Sequence, residues 1–246
     1  MEKRKPNLTY SLIIIFATIF LFQIYSSIAY GEQSINWLFN RYGFSLNNIL
    51  EGNLEVFLTS VFLHGDLSHL LMNMIALFFF GRVIEKELGR KKFLLIFFVS
   101  AIVGNFAVLT MTLLGYGSAI IPTIGASAAI FGLVGTSMLV KPFEFIFYPY
   151  LVPVPLILVA LLYALYNIAE FFVSITVGVT TNVSYISHIG GLLTGMVFGS
   201  RHKNSKRGLI VLLIIILLMV LTPFAMIFFN YLEFFNYIDF ISWALG

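Results

Sequence analysis

Between its charged residues this chain carries apolar stretches of about twenty residues, and that spacing constrains its fold more than any other feature. The segment "LTYSLIIIFATIFLFQIYSSIAY", residues 8–30, contains no Asp, Glu, Lys or Arg. Crossing a hydrocarbon core of about 30 Å as an α-helix takes roughly 20 such residues. Seven segments meet or approach that length: 8–30, 67–84, 93–114, 127–140, 152–175, 185–200 and 208–229. With 60% hydrophobic and only 10% charged residues, the composition is far more apolar than a soluble domain requires. The expected class is therefore all-α, a polytopic bundle of membrane helices. The chain has no cysteine, which excludes disulfides and thiolate metal sites.

Loop charge sets a direction. Lys3, Arg4 and Lys5 precede the first span; Arg82, Lys86, Arg90, Lys91 and Lys92 follow the second; Lys141 follows the fourth; Arg201, Lys203, Lys206 and Arg207 follow the sixth. With the N-terminus cytoplasmic, these all fall inside, and Arg41 alone is left outside, as the bias of basic residues toward cytoplasmic loops requires. The expected location is a cell membrane, multi-pass. Basic residues confined to loops between spans argue against nucleic-acid binding. The basic start and the small residues Ser27 and Ala29 resemble a signal-peptide cleavage site, but the apolar run is long for one, and a retained helix is expected. The outer segment 31–67 carries Trp37, Phe39, Tyr42 and Phe44 and is expected on or partly in the outer leaflet. The last residues, "NYLEFFNYIDFISWALG", share that character.

Depth within the spans is more informative. Counting back from each basic inner end at about 1.5 Å per residue, Ser127, fourteen positions before Lys141, sits roughly 21 Å above the inner interface. His69 is thirteen positions before Arg82 and His188 thirteen before Arg201, so both sit at about 20 Å. Three spans thus carry reactive side chains to one level. The fourth span, starting at Ser127, is too short to cross, so "GYGSAIIPTIGA" descends to it as irregular backbone. Such backbone is tolerated in a membrane only inside protein or beside a water-filled cavity, and a cavity open to the outside is expected.

These residue types suit acyl transfer. A serine hydroxyl becomes a useful nucleophile beside a base, most often histidine. The developing oxyanion needs donors such as backbone N–H groups, Asn or His. Asn73 lies four residues after His69 and shares its helix face. Ser127 can attack, one histidine can act as base, and the other can join Asn73 as a donor. No acidic orienting residue is evident, since the only clear acid within a span is Glu170 near its outer end, so a Ser-His dyad is expected rather than a triad. Each residue alone is compatible with ordinary interhelical packing or hydrogen bonding; their common depth favours chemistry.

These segments resemble the rhomboid intramembrane serine proteases. "HGDLSHLLMN" is similar to that family's histidine and asparagine signature, "EKELG" to its helix-ending segment, "GASAAIFG" to its serine motif and "SHIGGLLTG" to its last core helix. The resemblance covers residues 55–200 and implies a six-helix catalytic core within residues 1–202, followed in 203–246 by a seventh span and an aromatic tail. It implies Ser127 as nucleophile and His188 as base, with His69, Asn73 and the Ser127 backbone N–H as the oxyanion hole and Gly125 beside it. Phe131 matches the aromatic position that packs on the imidazole. Gly191 and Gly195 match small positions that let the serine and histidine helices approach. Two positions depart from the pattern: Ala128 stands where the serine motif continues with glycine, and Glu55 and Val56 stand where a Trp-Arg pair is frequent.

The activity so implied is endopeptidase cleavage of a transmembrane helix of another membrane protein, within the lipid bilayer and with no cofactor or metal. The second and fifth spans would form a lateral gate, and the loop 176–185 a cap. Two other classes remain open at this level. One is a catalytically silent relative that binds or destabilises transmembrane clients; such relatives usually lack the serine or the histidine. The other is a transporter with a broken span, for which no inverted repeat is apparent.

Overall fold

The computed structural model describes residues 7–148, 152–177, 184–214 and 216–217. The first basic cluster, most of the expected cap and of the seventh span, and the aromatic tail lie outside these residues; 205–214 and 216–217 are helical. The chain forms an all-α bundle in which, among the described residues, four helical segments are long and apolar enough to cross a membrane: Leu8–Tyr30, Leu67–Leu88, Arg90–Leu113 and Leu156–Val173.

In chain order, α1 (Asn7–Tyr30) is followed by three short helices, α2 (Glu32–Tyr42), α3 (Leu46–Leu50) and α4 (Val56–Thr59). Next come α5 (Leu67–Ala76) and α6 (Arg82–Leu88), joined by one π-helical turn, and α7 (Arg90–Leu113). The shorter α8 (Ser127–Val140) leads to the strands β1 (Phe145–Tyr148) and β2 (Val152–Pro155), then to α9 (Leu156–Val177) and α10 (Tyr185–Ser200). Gly89, at φ 83°, separates α6 from α7.

One correction concerns the fifth span, expected from residue 152. Residues 145–148 and 152–155 instead pair as an antiparallel hairpin, and the helix starts only after Pro155. Prolines 153 and 155 have no N–H to donate, which disfavours them inside a helix. The first N–H groups of α9 find partners outside it: Leu156 donates to the Glu144 carbonyl at 2.7 Å and Ile157 to that of Pro142 at 3.3 Å. The second span also continues to Leu88, four residues past its expected end.

The buried centre is α8, in which every residue from 128 to 140 is shielded. Its close approach to α10 depends on missing side chains. A Cβ on Gly191 would collide with the Ala128 carbonyl, and one on Gly195 with the Gly132 carbonyl. The Thr136 hydroxyl lies 2.8 Å from the Gly132 carbonyl in its own helix and 2.9 Å from the Gly195 carbonyl on α10. The methyl of Ala128 faces α7 instead: a Cβ on Gly104 would lie 2.7 Å from it and 2.8 Å from the Ser187 carbonyl. Gly104 thus leaves the space that Ala128 fills.

α1 is bound into this bundle rather than set apart from it. Leu12, Phe16 and Phe20 are buried along one stripe, and Gln23 donates to the His64 carbonyl (2.8 Å) while its own carbonyl accepts the His64 N–H (3.2 Å). At the opposite end, the buried Glu85 carboxylate accepts from the Leu8 and Thr9 N–H groups (2.9 and 2.8 Å) and the Thr9 hydroxyl (2.8 Å). It thereby satisfies N–H groups that a helix start leaves free and places negative charge at the positive end of the helix dipole.

The segment leading to α8 is tied to the stretch after α2 at two points. Phe44 and Thr123 exchange backbone hydrogen bonds at 2.9 and 2.8 Å, and Asn47 N–H reaches the Ala119 carbonyl at 3.1 Å. Phe44 itself is buried and its ring meets Phe57 at 4.9 Å, whereas Trp37 is exposed. Segment 31–67, expected at the outer leaflet, is therefore partly core. Arg41 pairs with Glu55 at 2.7 Å; the backbone N–H of Glu55 and the guanidinium of Arg41 hold this exposed carboxyl below its ordinary range.

Replacing Gly195 with valine forces α10 away from α8. Overpacking of this kind costs about 1–3 kcal/mol, and thermal unfolding in detergent should show a lower midpoint for Gly195→Val than for Leu193→Val, which alters an exposed position.

Candidate active site

The site forms where α8 begins. Because α8 starts inside the bundle, the residues before it need hydrogen-bond partners within the protein. Gly125 donates its N–H to the Ser60 carbonyl at 2.9 Å. Ser60 is held in turn from α7: the Asn105 amide lies 3.2 Å from the Ser60 hydroxyl and 3.1 Å from the Phe57 carbonyl. Gly125 adopts φ +117°, a region side chains rarely enter. A Cβ there would lie 2.6 Å from His69 Nε2 and 3.8 Å from Asn73 Nδ2, so His69, Asn73 and the backbone two residues before Ser127 meet around this glycine.

Ser127 and His188 are joined directly, with His188 Nε2 2.7 Å from Ser127 Oγ. His188 is buried and its ring is stacked on Phe131, centroids 4.5 Å apart and planes within 10°. Phe131 stacks in turn on Tyr163 of α9 at 4.6 Å. The ring is therefore held on one face by an aromatic column. Gly191 and Gly195 lie on α10 below it, at the helix contact already described.

On α5, Asp66 caps the helix by accepting the His69 N–H at 2.8 Å. The Ser68 hydroxyl and that N–H hold the Asp66 carboxyl below the ordinary range, so the cap is ionised at neutral pH. His69 is partly exposed beside exposed residues 65–68, whereas Asn73 is buried. Asn73 Nδ2 has no hydrogen-bond partner among the described residues, and neither has either ring nitrogen of the buried His64. A buried donor without a partner is costly and calls for an explanation.

One contact had no counterpart in the sequence reading. His188 Nδ1 lies 2.6 Å from Asn167 Oδ1, on α9. Asn167 is buried and stands twenty-one residues from His188 in the chain. Its one visible signal was a polar side chain in an otherwise apolar stretch, three residues before the more conspicuous Glu170.

Among the described residues, no group of three His, Cys, Asp or Glu is arranged to hold a metal ion. A hydroxyl hydrogen-bonded to the nitrogen of a buried imidazole can lose its proton to that nitrogen as it attacks a carbonyl.

The Rhomboid domain family matches residues 51–201, which contain all of these groups. The chain belongs to the rhomboid family. It is 26% identical over 182 residues to RHOMBOID-like protein 12, mitochondrial, of Arabidopsis thaliana, covering 69% of this chain and 53% of that one. Rhomboid-like protease 3 of Toxoplasma gondii is 38% identical over 77 residues, 31% of this chain and 27% of its own. Inactive RHOMBOID-like protein 8 of Arabidopsis thaliana is 39% identical over 82 residues, 33% of this chain and 21% of its own. The chain thus spans about half the length of the first of these relatives and less of the others. Relatives named as a protease and as inactive both occur, so the family leaves activity to be argued from the residues.

Gly125→Ala should be destabilising for two reasons, backbone strain and the collision with His69. The strained conformation alone costs about 1–3 kcal/mol. Thermal unfolding should show the loss, and the His69 ring resonances should shift while those of the distant His202 stay in place.

Proposed function

We propose that this rhomboid is an intramembrane serine endopeptidase acting with a Ser127-His188 dyad. The observation that carries the proposal is the 2.7 Å contact between Ser127 Oγ and His188 Nε2 inside a bundle with four helices of membrane-crossing length. The substrate class is a transmembrane segment of another membrane protein, locally unwound so that a peptide carbonyl reaches Ser127.

The chemistry follows from the groups present. Ser127 Oγ attacks the carbonyl carbon as its proton passes to His188 Nε2, giving a tetrahedral oxyanion. His69, Asn73 Nδ2 and the Ser127 N–H donate to that oxyanion. The unpartnered amide of Asn73 supports this role, and so does the position of Ser127 at the first turn of α8, where N–H groups are free and the helix dipole favours negative charge. Collapse breaks the C–N bond, and the proton on Nε2 leaves with the amine. Water then loses a proton to Nε2 as it attacks the acyl carbon; the C–Oγ bond breaks and Ser127 regains its proton. The Phe131 ring keeps the imidazole in one plane throughout.

The same proposal extends to architecture. Residues 1–202 form a six-helix core and 203–246 a seventh span with an outer aromatic tail, a reading that the helical residues 205–214 and 216–217 support. The N-terminus is cytoplasmic, the protein lies in the cell membrane, and the site opens to the outer side. Substrate enters between the α5–α6 segment and α9, with 176–185 as the cap.

A fluorophosphonate added to the detergent-solubilised protein should label Ser127. Labelling should vanish in Ser127→Ala and slow by about 10²–10⁴-fold in His188→Ala, the range set by loss of a general base. Asn73→Ala should slow cleavage of a membrane-embedded substrate by about 10²–10³-fold, the cost of one oxyanion donor. Chelators should change none of these rates. Failure to label a folded sample would instead favour a catalytically silent protein that binds transmembrane clients.

A further inference from the structure

We infer that Asn167 is a positioning residue for His188, completing a Ser127-His188-Asn167 relay in which a neutral amide stands where an acid would be expected. The inference rests on the proposed dyad only for its consequence in catalysis; the tautomer it assigns stands on hydrogen bonding alone.

The argument starts at an atom that can play one role only. The Tyr163 backbone carbonyl accepts and cannot donate, and the Asn167 side-chain nitrogen lies 2.8 Å from it. That contact sets the amide: its NH₂ faces Tyr163 and its Oδ1 faces His188. Oδ1 also only accepts. With 2.6 Å between Oδ1 and His188 Nδ1, the proton of a neutral imidazole must sit on Nδ1. Nε2 then carries the lone pair, and at 2.7 Å it accepts from the Ser127 hydroxyl. A backbone carbonyl of α9 thus determines, through two hydrogen bonds, which nitrogen on α10 is the base.

Burial makes this assignment matter. Asn167 and His188 are 3% and 6% exposed, so water has little access to replace either hydrogen bond. If Nδ1 lost its acceptor, the Nε2–H tautomer would become competitive, and it would donate to Ser127 Oγ instead of accepting its proton. Triads with a carboxylate use the same geometry and also stabilise the imidazolium by charge; an amide supplies the tautomer without charge only when its oxygen faces Nδ1, since its NH₂ there would impose the wrong tautomer. The aromatic column of Phe131 and Tyr163 fixes the plane of the ring, and Asn167 fixes its rotation within that plane. Tyr163 belongs to both devices, through its ring and through its carbonyl.

The test combines a spectroscopic readout with a kinetic one on the full chain in detergent. In protein labelled with ¹⁵N-histidine, with the His188 signals assigned by their absence in His188→Ala, the wild type at neutral pH should show Nδ1 protonated and Nε2 bare. Asn167→Leu keeps the volume but removes the acceptor. It should convert His188 to a tautomer mixture and slow fluorophosphonate labelling of Ser127 by about tenfold or more, with the thermal midpoint reported alongside. Asn167→Asp keeps an acceptor and should retain the proton on Nδ1 and recover labelling relative to Asn167→Leu. A wild-type His188 protonated on Nε2 would overturn the inference outright. So would a folded Asn167→Leu with unchanged tautomer and labelling rate, or, if the leucine variant does not fold, an Asn167→Asp protein lacking the Nδ1 proton. A wild type that shows the Nδ1–H tautomer but never labels would leave the positioning role intact and remove the proposed protease activity.

Discussion

The structure depends on one constraint: backbone polar groups placed inside a membrane protein must find partners within it. α8 starts at Ser127, well inside the bundle, and the segment leading to it has no helix of its own to satisfy its N–H and C=O groups. Residues between α2 and α5 supply the partners. Thr123 pairs with Phe44, and Gly125 N–H with the carbonyl of Ser60, whose hydroxyl accepts from Asn105 on α7. The serine is presented at a helix start, beside groups that converge on Gly125, because the last residues of this loop are held at Thr123 and Gly125.

A second requirement is contact between backbones. The α8–α10 seam has no room for side chains at Gly191 and Gly195, and that closeness brings His188 within hydrogen-bond reach of Ser127. In lipid, apolar side chains gain little by leaving a solvent as apolar as themselves, so small residues and direct packing carry helix association. The Ala128 methyl, the one departure within the serine motif, is housed in the gap at Gly104 on a different helix. The other departure leaves Glu55 paired with Arg41, the one basic residue expected on the outer side.

Much of this was legible in the residues. The bounds of the fourth and sixth spans, 127–140 and 185–200, coincide with α8 and α10, because charged or irregular segments punctuate them. The short fourth span called for a loop leading into the bundle, and the common level expected of Ser127 and His188 agrees with their 2.7 Å contact. The start of the fifth span was less legible: an apolar run with two prolines reads equally as helix or extended chain until its hydrogen bonds are known. Nor could the sequence distinguish the docked part of the outer segment from its exposed part, since Phe44 and Trp37 are both large aromatics.

Hydropathy and charge, acting locally along the chain, determined that this protein is a bundle of membrane-length helices and which side chains share a depth. They carry no information on rotation about a helix axis when every face is apolar. Which stripe of α1 meets the core, which glycines face a carbonyl, and which polar residue of α9 touches His188 were decided by tertiary packing. Asn167 shows the difference most plainly. In the sequence it is one amide in an apolar helix, and only the crossing of α9 and α10 sets its oxygen against the imidazole.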